Sequence, residues 1–435
     1  MNQTEYRVPA FRKPVAATVE IPGSKSITNR ALLLAALSNG IVTLNNVLFS
    51  ADSRNFIASL ERLGFPVAYN ESMKSVQVIG QNGTIPKKKA AIYVGSAGTA
   101  ARFITALLAA AEGEYQIDAS EQMRARPMHP LLQALRELGA EFEFVNLPYA
   151  LPLLVRGHRL QGGTIRLAAG QSSQFLSALL MIGTLCQNDL TIALDGELPA
   201  KPFVAMTLRM MTAFGVNATH DNFERFTVPA GQSYQSLDYD IEPDLSNAGY
   251  FFALATLTGG SVLVRRASTD TLQGDIKLLE ILKQMGCTIK SEGGGIRVQG
   301  PSGGVFPGVD VDLSSLPDQT PTVAVLAAFA TSPTIIRNVG FIRHHESNRI
   351  EAIVTELKRM GVQAEETRDG LVIQPAPVQA AAIETYDDHR MAMAFALAGL
   401  KVPGMVIKNP GCTAKTFENY FEILEQAITV SSHKV

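Results

Sequence analysis

Residues 22–30 read Pro-Gly-Ser-Lys-Ser-Ile-Thr-Asn-Arg, and the apolar run Ala-Leu-Leu-Leu-Ala-Ala-Leu at 31–37 follows directly. The Pro-Gly pair favours a turn, and either of the first two serines can cap a helix that begins there. The start of such a helix offers free backbone N–H groups and a partial positive charge, to which Lys25 and Arg30 add full charges. The stretch therefore predicts a phosphate or carboxylate site; the alternative is a capped surface helix with solvated cations. It is not a P-loop, because the glycine spacing is absent.

Similar polar-to-apolar helix starts recur along the whole chain. The first five are 74 residues apart and the sixth follows after 69 residues: Ser24, Gly98, Ser172, Ser246, Thr320 and His389. A second marker has nearly the same period, with separations of 75, 76, 71 and 75 residues: Gly64, Gly139, Gly215, Gly286 and Gly361. Each of these glycines follows an amphipathic segment, where a left-handed helix cap is expected. Two independent markers predict six repeats, each with a buried helix, strands and an amphipathic helix ending in glycine.

Six repeats divide naturally into two lobes of three. We predict a first lobe over 24–240 and a second lobe over 1–23 plus 241–435, with a hinge near 20–24 and 237–243. The fold class is α/β (α+β). The six helix N-termini could face one cleft between the lobes, and that cleft would be electropositive whatever the charge of the whole protein.

The composition excludes several classes of protein. The chain has 435 residues, 46% hydrophobic and 18% charged, with a net charge of −2. It is therefore globular, and it lacks the basic surface that binding to nucleic acid requires. Three scattered cysteines do not form a disulfide framework, and no apolar run approaches the length that spans a bilayer. We expect a cytoplasmic protein that binds neither nucleic acid nor membrane.

Cations gather near the predicted helix starts. They come from six segments of the chain: Lys25, Arg30, Arg102, Arg126, Arg343, His345, Arg349, Arg390 and Lys415. Arginine is suited to bidentate recognition of phosphate or carboxylate, and lysine acts as a point charge. This density predicts substrates with at least two anionic groups, although each cation alone could be solvated or paired with a carboxylate.

Acid–base candidates are fewer. Asp318 precedes the helix start at Thr320, where it could either remove a proton from a bound hydroxyl or cap the helix. Glu346 lies close in sequence to Arg343 and Arg349, and an i,i+3 helix pair with Arg349 is the simpler interpretation. His389 could be a packed helix-start histidine. No metal-ligand spacing is present, so we predict no metal.

At this point the motifs resemble a known family, the 5-enolpyruvylshikimate 3-phosphate (EPSP) synthases, over residues 14–425. The motifs that carry the resemblance are Pro22-Gly-Ser-Lys-Ser to Arg30, Ala97-Gly98-Thr99 to Arg102, Arg126-Pro127, Ser172-Ser173-Gln174, Gln273-Gly274-Asp275, Asp318, Glu346 to Arg349, Asp388-His389-Arg390-Met391-Ala392 and Thr413-Ala414-Lys415-Thr416. The resemblance implies a two-lobed inverse α/β barrel of six repeats. It also implies transfer of the enolpyruvyl group of phosphoenolpyruvate to the 5-hydroxyl of shikimate 3-phosphate, through a tetrahedral intermediate.

The resemblance also implies roles for individual residues. Phosphoenolpyruvate would be held by Lys25, Gly98, Arg126, Gln174, Arg349, Arg390 and Lys415. Shikimate 3-phosphate would be held by Lys25, Ser26, Arg30, Ser172, Ser173, Gln174, Asp318 and His345. The catalytic set would be Asp318 as base, Glu346 with Lys415 in proton transfer at the methylene carbon, and Lys25. No cofactor is expected, and we expect a monomer.

Five positions depart from the common family pattern. Ser96 stands for Asn, Ala200 for Ser, Phe203 for Tyr, Phe341 for Asn and His345 for Lys. Most of them fall on the acceptor side, so a related transferase with another acceptor is an alternative. The enolpyruvyl transferase that acts on UDP-N-acetylglucosamine uses a cysteine in its second repeat, and no cysteine lies between 97 and 185 here. A binder of anionic metabolites without catalysis is the third alternative.

Overall fold

A computed structural model describes residues 4–11 and 13–432 of the chain, without the side chains of 431 and 432. Two compact units are present: Gly23–Ile241, named here the first unit, and Met1–Pro22 with Glu242–Val435, named the second unit. The ends of the predicted second lobe, at residues 1–3 and 433–435, and its residue 12 lie outside the described residues.

The strands are short and are spread along the whole chain. In chain order they are β1 (Glu5–Arg7), β2 (Ala16–Val19), β3 (Asn39–Asn45), β4 (Val67–Asn70), β5 (Ser75–Gln81), β6 (Lys89–Tyr93), β7 (Gly113–Asp118), β8 (Glu141–Phe144), β9 (Leu153–Gly157), β10 (Gly163–Ala168), β11 (Leu190–Asp195), β12 (Thr219–Asp221), β13 (Arg225–Val228), β14 (Asp238–Asp240), β15 (Ser261–Arg265), β16 (Thr288–Glu292), β17 (Gly295–Gln299), β18 (Asp310–Asp312), β19 (Thr334–Arg337), β20 (Gln363–Glu366), β21 (Leu371–Gln374), β22 (Ala382–Ile383) and β23 (Val406–Lys408).

Helices alternate with these strands. They are α1 (Lys25–Leu37), α2 (Ala51–Arg62), α3 (Gly98–Ala110), α4 (Glu121–Arg124), α5 (His129–Glu137), α6 (Ser173–Ile182), α7 (Lys201–Ala213), α8 (Leu245–Thr258), α9 (Leu278–Gln284), α10 (Thr320–Ala328), α11 (Arg349–Arg359), α12 (His389–Lys401) and α13 (Tyr420–Ser432). Short 3₁₀ turns occur at Gly183–Leu185, Gly274–Lys277, Ser302–Gly304, Pro317–Gln319, Gly340–His344 and Pro410–Lys415.

Six sheets are formed by the described residues, three in each unit; five are four-stranded with one topology, and the sixth has three strands. In the first unit the strand orders are β14-β3-β5-β4, β6-β7-β9-β8 and β10-β11-β13-β12; in the second they are β16-β17-β15-β2, β18-β19-β21-β20 and β1-β23-β22. In each four-stranded sheet one parallel pair is followed by two antiparallel pairs. The six-repeat prediction is therefore confirmed.

One helix in each repeat is enclosed by its unit. All 13 residues of α3, all 14 of α8 and all 9 of α10 are buried, and α1, α6 and α12 are nearly so. A helix that is apolar on every side must be covered on every side. The alanines and leucines after each predicted start provide that composition, so the local sequence directs these six helices to the interior.

The five marker glycines end the amphipathic helices as predicted. They follow α2, α5, α7, α9 and α11, and their φ angles lie between 79° and 108°. Residues with a Cβ rarely adopt this left-handed conformation, whereas glycine adopts it readily.

Two of the predicted caps differ in detail. Ser24 occupies the N-cap position of α1, but its side chain makes no capping hydrogen bond. The fourth helix begins at Leu245, one residue before the predicted start, and is capped by Asp244 through Asn247 N. Aspartate and serine are equally favourable at the N-cap position, and here Asp244 rather than Ser246 caps the helix.

Candidate active site

In the first unit, Lys25 lies in the first turn of α1 and is held by a carboxylate. Its Nζ lies 3.6 Å from Asp52 Oδ2, and the Lys25 side chain is 14% exposed while that of Asp52 is 2% exposed. Asp52 lies in the first turn of α2, between Ser50 and Ser53, which form a capping box. A lysine with a buried counter-ion and an accessible ammonium is a fixed point charge for an anion. Sequence reasoning missed Asp52, because nothing in the spacing links it to Lys25.

Arg30 is buried in the same unit, where its guanidinium bonds only to neutral oxygens. Nε donates to Thr207 Oγ1 at 2.7 Å and Nη1 to the Ser26 carbonyl at 2.9 Å. Nη2 donates to Ser177 Oγ at 3.2 Å and to the Phe203 carbonyl at 3.1 Å. Burial lowers the pKa of Arg30. These contacts give Arg30 a part in holding the Lys25–Ser26 turn; its role as a shikimate 3-phosphate ligand stays a prediction.

Gly98 brings two arginines together at the start of α3. A Cβ built on Gly98 would lie 2.7 Å from Arg102 Nη1 and 2.7 Å from Arg126 Nη1, so no larger residue fits without moving both. Arg102 donates to the carbonyls of Gly98, at 3.1 Å, and Pro127, at 2.7 Å. The buried Arg102 thus supports the loop that carries Arg126.

The third predicted start of the first unit is formed by residues 172–174. Ser172 caps α6 by accepting from Gln174 N at 3.2 Å, and Ser173 is buried while Ser172 and Gln174 are half-buried. The side-chain Oε1 of Gln174 has no hydrogen-bond partner among the described residues. A capped helix start with an unsatisfied amide oxygen offers both backbone donors and a polar side chain to a ligand.

In the second unit, Asp318 is shared by two buried arginines. Arg349 Nη1 donates to Asp318 Oδ1 at 2.9 Å, and Arg390 Nη2 donates to Oδ2 at 2.7 Å. Asp318 lies in the 3₁₀ turn before α10, and the N-cap of α10 is Gln319, without a side-chain cap. The capping alternative for Asp318 is therefore wrong, since its two oxygens serve the arginines.

Glu346 lies on the other side of Arg349. Arg349 Nη2 donates to Glu346 Oε2 at 2.9 Å, and Lys415 Nζ lies 3.8 Å from Oε1. The predicted i,i+3 pair is thus present, but it is not a pair within a helix, because α11 begins at Arg349 and Glu346 precedes it. Arg343 does not join this group; it pairs with Glu366 at 2.7 Å.

Asp388 is a further member, which the sequence analysis named in a motif but to which it gave no role. It receives Arg349 Nε at 2.8 Å and Nη2 at 3.2 Å, and Ser347 Oγ at 3.0 Å. Burial acts to lower the pKa of Arg349, but Asp388, Glu346 and Asp318 together raise it well above its usual value. The position of Asp388 two residues before Arg390 was the available signal. His389, between them, is fully buried, as expected for a packed helix-start histidine.

His345 adjoins the same arginine. Its Nδ1 lies 3.1 Å from Arg349 Nη1, and because a guanidinium can only donate, Nδ1 is the acceptor. Phe341, which replaces the usual Asn, packs edge-on against the His345 ring at 5.8 Å between centroids. The second unit therefore gathers the predicted residues Asp318, His345, Glu346, Arg349, Arg390 and Lys415 into one cluster.

One departure from the family pattern, Phe203, contacts Arg30 in the first unit, and a second, Ala200, bonds Phe203. Ala200 is the N-cap of α7 with φ 51°, and its carbonyl accepts from Phe203 N at 3.0 Å. Phe203 bonds Arg30 through its backbone carbonyl, so the identity of its side chain leaves that contact intact. Among the residues with described positions, no cluster of His, Cys, Asp and Glu is arranged to hold a metal, and no helix is long and apolar enough to cross a membrane.

Comparison with known proteins gives consistent matches over nearly the whole chain. Residues 10–424 match the family described as EPSP synthase (3-phosphoshikimate 1-carboxyvinyltransferase). A 3-phosphoshikimate 1-carboxyvinyltransferase from Trichormus variabilis is 51% identical over 414 residues, which cover 95% of this chain and 97% of the relative. The chloroplastic enzyme of that name from Brassica napus is 42% identical over 429 residues, covering 95% of this chain and 83% of the relative.

A solved structure of EPSP synthase from Acinetobacter baumannii superposes with a TM-score of 0.81 and covers 98% of both chains. At 23% identity this likeness speaks for the fold, the two-domain inverse α/β architecture, and for nothing finer. The family match and the sequence relatives carry the assignment. The chain belongs to the EPSP synthase (3-phosphoshikimate 1-carboxyvinyltransferase) family.

Proposed function

We propose that this chain transfers the enolpyruvyl group of phosphoenolpyruvate to the 5-hydroxyl of shikimate 3-phosphate. The products are 5-enolpyruvylshikimate 3-phosphate and inorganic phosphate, a step toward chorismate and the aromatic amino acids. Relatives up to 51% identical carry the name of this activity. Both substrates are anions, and each unit contains buried or half-buried cations near its helix starts.

The reaction needs proton transfer at two positions, the 5-hydroxyl and C3 of phosphoenolpyruvate. In the addition, the 5-hydroxyl loses its proton to Asp318 and its oxygen bonds C2 of phosphoenolpyruvate, while C3 gains a proton. In the elimination, C3 loses a proton, the bond from C2 to the phosphate oxygen breaks, and phosphate leaves. The proton held by Asp318 then passes to the released phosphate or to solvent, which restores the base. We assign the C3 transfers to Glu346, with the Lys415 ammonium 3.8 Å away as its proton partner.

One contact set carries this assignment. The single guanidinium of Arg349 bonds both Asp318, at 2.9 Å, and Glu346, at 2.9 Å. The two carboxylates given the two proton transfers are thus fixed by one rigid, planar group. Preorganised charges of this kind supply much of the rate enhancement in enzymes, since they need not reorient during the reaction.

The substrate ligands are assigned by the family motifs and stay proposals. For phosphoenolpyruvate they are Lys25, Gly98, Arg126, Gln174, Arg349, Arg390 and Lys415. For shikimate 3-phosphate they are Lys25, Ser26, Arg30, Ser172, Ser173, Gln174, Asp318 and His345. Lys25 and Gly98 have the most direct support: Lys25 is an anchored, accessible charge, and Gly98 leaves room beside Arg126 Nη1.

The test is a coupled assay of phosphate release. Phosphoenolpyruvate with shikimate 3-phosphate should give release, and omission of either should abolish it. Release with another acceptor, and none with shikimate 3-phosphate, would favour the alternative transferase. If calorimetry showed that both ligands bind but no phosphate were released, a non-catalytic binder would be favoured. A cytoplasmic location, a monomeric state and a hinge near 20–24 and 237–243 remain predictions.

A further inference from the structure

Asp275 has no role in the reaction as assigned so far, although it ends the Gln273-Gly274-Asp275 motif. It lies in the 3₁₀ turn before α9 in the second unit and is 5% exposed. Its Oδ1 accepts from Ser246 Oγ at 2.9 Å and from Gln319 Nε2 at 3.1 Å. Gln319 directly follows Asp318, so Asp275 bonds the neighbour of the proposed base.

Gln319 is held on more than one side. Its Nε2 also lies 3.2 Å from the Ser246 carbonyl and 3.4 Å from that of Leu245, in the first turn of α8. A Cβ on Gly249 would lie 2.4 Å from Gln319 Oε1, so α8 has a glycine where this amide packs. The 3₁₀ turn that carries Asp318 thus packs against α8 through Gln319. Among the hydrogen-bond acceptors of Gln319, Asp275 is the carboxylate.

Several charges face Asp275. Burial, and then the negative charges of Asp318 and Asp244, raise the pKa of Asp275 to about 6, against the lowering effect of Arg390 and of the hydrogen bond from Gln319. Asp275 therefore changes its charge at a pH where the enzyme can be assayed. A hydrogen bond to an ionised acceptor is stronger than one to a neutral group, so ionisation of Asp275 strengthens its hold on Gln319.

We infer that Asp275 is a positioning residue for Asp318, acting through Gln319 to fix the turn from which the Asp318 carboxylate meets the substrate. This role rests on the proposed function, in which Asp318 removes the hydroxyl proton. The enzyme should be most active when Asp275 is ionised. The ionised carboxylate forms the stronger hydrogen bond with Gln319 and places a negative charge near the base.

The experiment compares wild type with Asp275→Asn, a substitution of nearly equal volume, in the phosphate-release assay from pH 5 to pH 8. Wild-type kcat should fall as the pH drops through about 6. In Asp275→Asn, kcat at pH 7.5 should be about tenfold lower than in wild type, because one charge-assisted hydrogen bond is lost. The fall near pH 6 should be absent, and both KM values should stay within about twofold, since no substrate ligand is removed.

A second readout needs no turnover. For Asp275 the folded pKa is raised, so its burial costs stability above pH 6, and this cost disappears as the pH falls toward the unfolded value. The melting temperature of Asp275→Asn should therefore rise relative to wild type between pH 4.5 and 7. Glu356→Gln is the matched control: Glu356 is another buried carboxylate of the second unit, and it bonds Tyr386 and Arg359. It should leave the fall of kcat near pH 6 in place.

Gln319→Met provides a variant independent of Asp275 itself. It keeps the volume, removes the amide donor, and should lower kcat about as much as Asp275→Asn, with KM again unchanged. The inference would be overturned if Asp275→Asn kept the kcat and the pH profile of wild type. It would also be overturned if Glu356→Gln lost the fall of kcat near pH 6 to the same extent as Asp275→Asn. Absence of turnover in wild type would instead overturn the proposed function, so the two failures are separate.

Discussion

Arg30 in the first unit and Arg349 in the second are equally buried, each about 1% exposed, yet their surroundings are opposite. Arg30 donates only to neutral oxygens: two hydroxyls and two backbone carbonyls. Arg349 donates to three carboxylates. The pKa of Arg30 is lowered by burial, whereas the carboxylates overcome the effect of burial and raise that of Arg349.

The difference shows two ways to bury a cation. Neutral acceptors satisfy the guanidinium of Arg30 but leave its positive charge uncompensated, so this part of the first unit keeps an attraction for anions. The carboxylates around Arg349 cancel its charge locally and are themselves fixed by it. In the second unit the arginine serves to orient acid–base groups as much as to bind a substrate.

The largest effect should come from Arg349→Gln. Removing the guanidinium leaves Asp388 buried without its bidentate partner and releases Asp318 and Glu346. Breaking a buried charge network from one side costs about 3–5 kcal/mol of the free energy of unfolding. Urea denaturation should show this loss, together with loss of phosphate release. Arg349→Lys is the control: it restores a charge without the planar fork, and should recover part of the stability but little activity.

Asp318→Asn should act on the rate more than on the fold. Without a carboxylate the base is lost, and kcat should fall by about 10²- to 10⁴-fold. The amide can still accept from one of the two arginines, so the change in melting temperature should be small beside that of Arg349→Gln. Asp310→Asn, which removes an exposed carboxylate paired with Arg337 in the same unit, should leave kcat unchanged. An Asp318→Asn enzyme with near-normal kcat would show that another group is the base.

Arg30→Gln applies the substitution made at Arg349 to the other buried arginine. Its partners are neutral, and leaving some of them unsatisfied should cost about 1–3 kcal/mol, less than the loss at Arg349. Because an uncompensated positive charge is removed, KM for shikimate 3-phosphate should also rise. If Arg30→Gln were the more destabilising of the pair, the contrast between neutral and ionic burial would not hold.

Gly98→Ala should have the smallest effect on stability. The nearest atoms to the added Cβ would be the guanidinium ends of Arg102 and Arg126, and a small shift of these side-chain ends should let the fold tolerate it. The displaced Arg126 should raise KM for phosphoenolpyruvate by about tenfold, a loss of about 1.4 kcal/mol in binding. Gly170→Ala, where no atom lies within 4 Å of the added carbon, is the control. Equal KM values in the two variants would argue against a role for Arg126 in binding.

Much of the fold could be predicted because its signals are local. The part of α1 that follows Arg30 is apolar on all sides, which requires burial wherever it packs. Gly64 and Gly361 end helices in a conformation that few other residues adopt. Such features depend on residues within one or two helical turns of each other. They therefore recur with each repeat and can be predicted without a structure. Most of the charged residues that cluster in the second unit could also be named from the motifs, whereas Asp52 beside Lys25 could not.

The pairings among those residues were not predictable, because they join distant parts of the chain. Arg343 was expected beside Glu346 and pairs with Glu366 instead, while Asp388, 39 residues from Arg349, supplies its bidentate partner. Arg30 meets Thr207 across 177 residues.

The sequence by itself determined six buried helices, their glycine-ended partners and the stock of charges at the helix starts, since these follow from capping, backbone conformation and apolar composition. Only the tertiary structure decided which charge faces which, because ion pairs form between whatever side chains the packing of distant helices brings within about 3 Å. That choice left Arg30 among neutral oxygens and surrounded Arg349 with carboxylates.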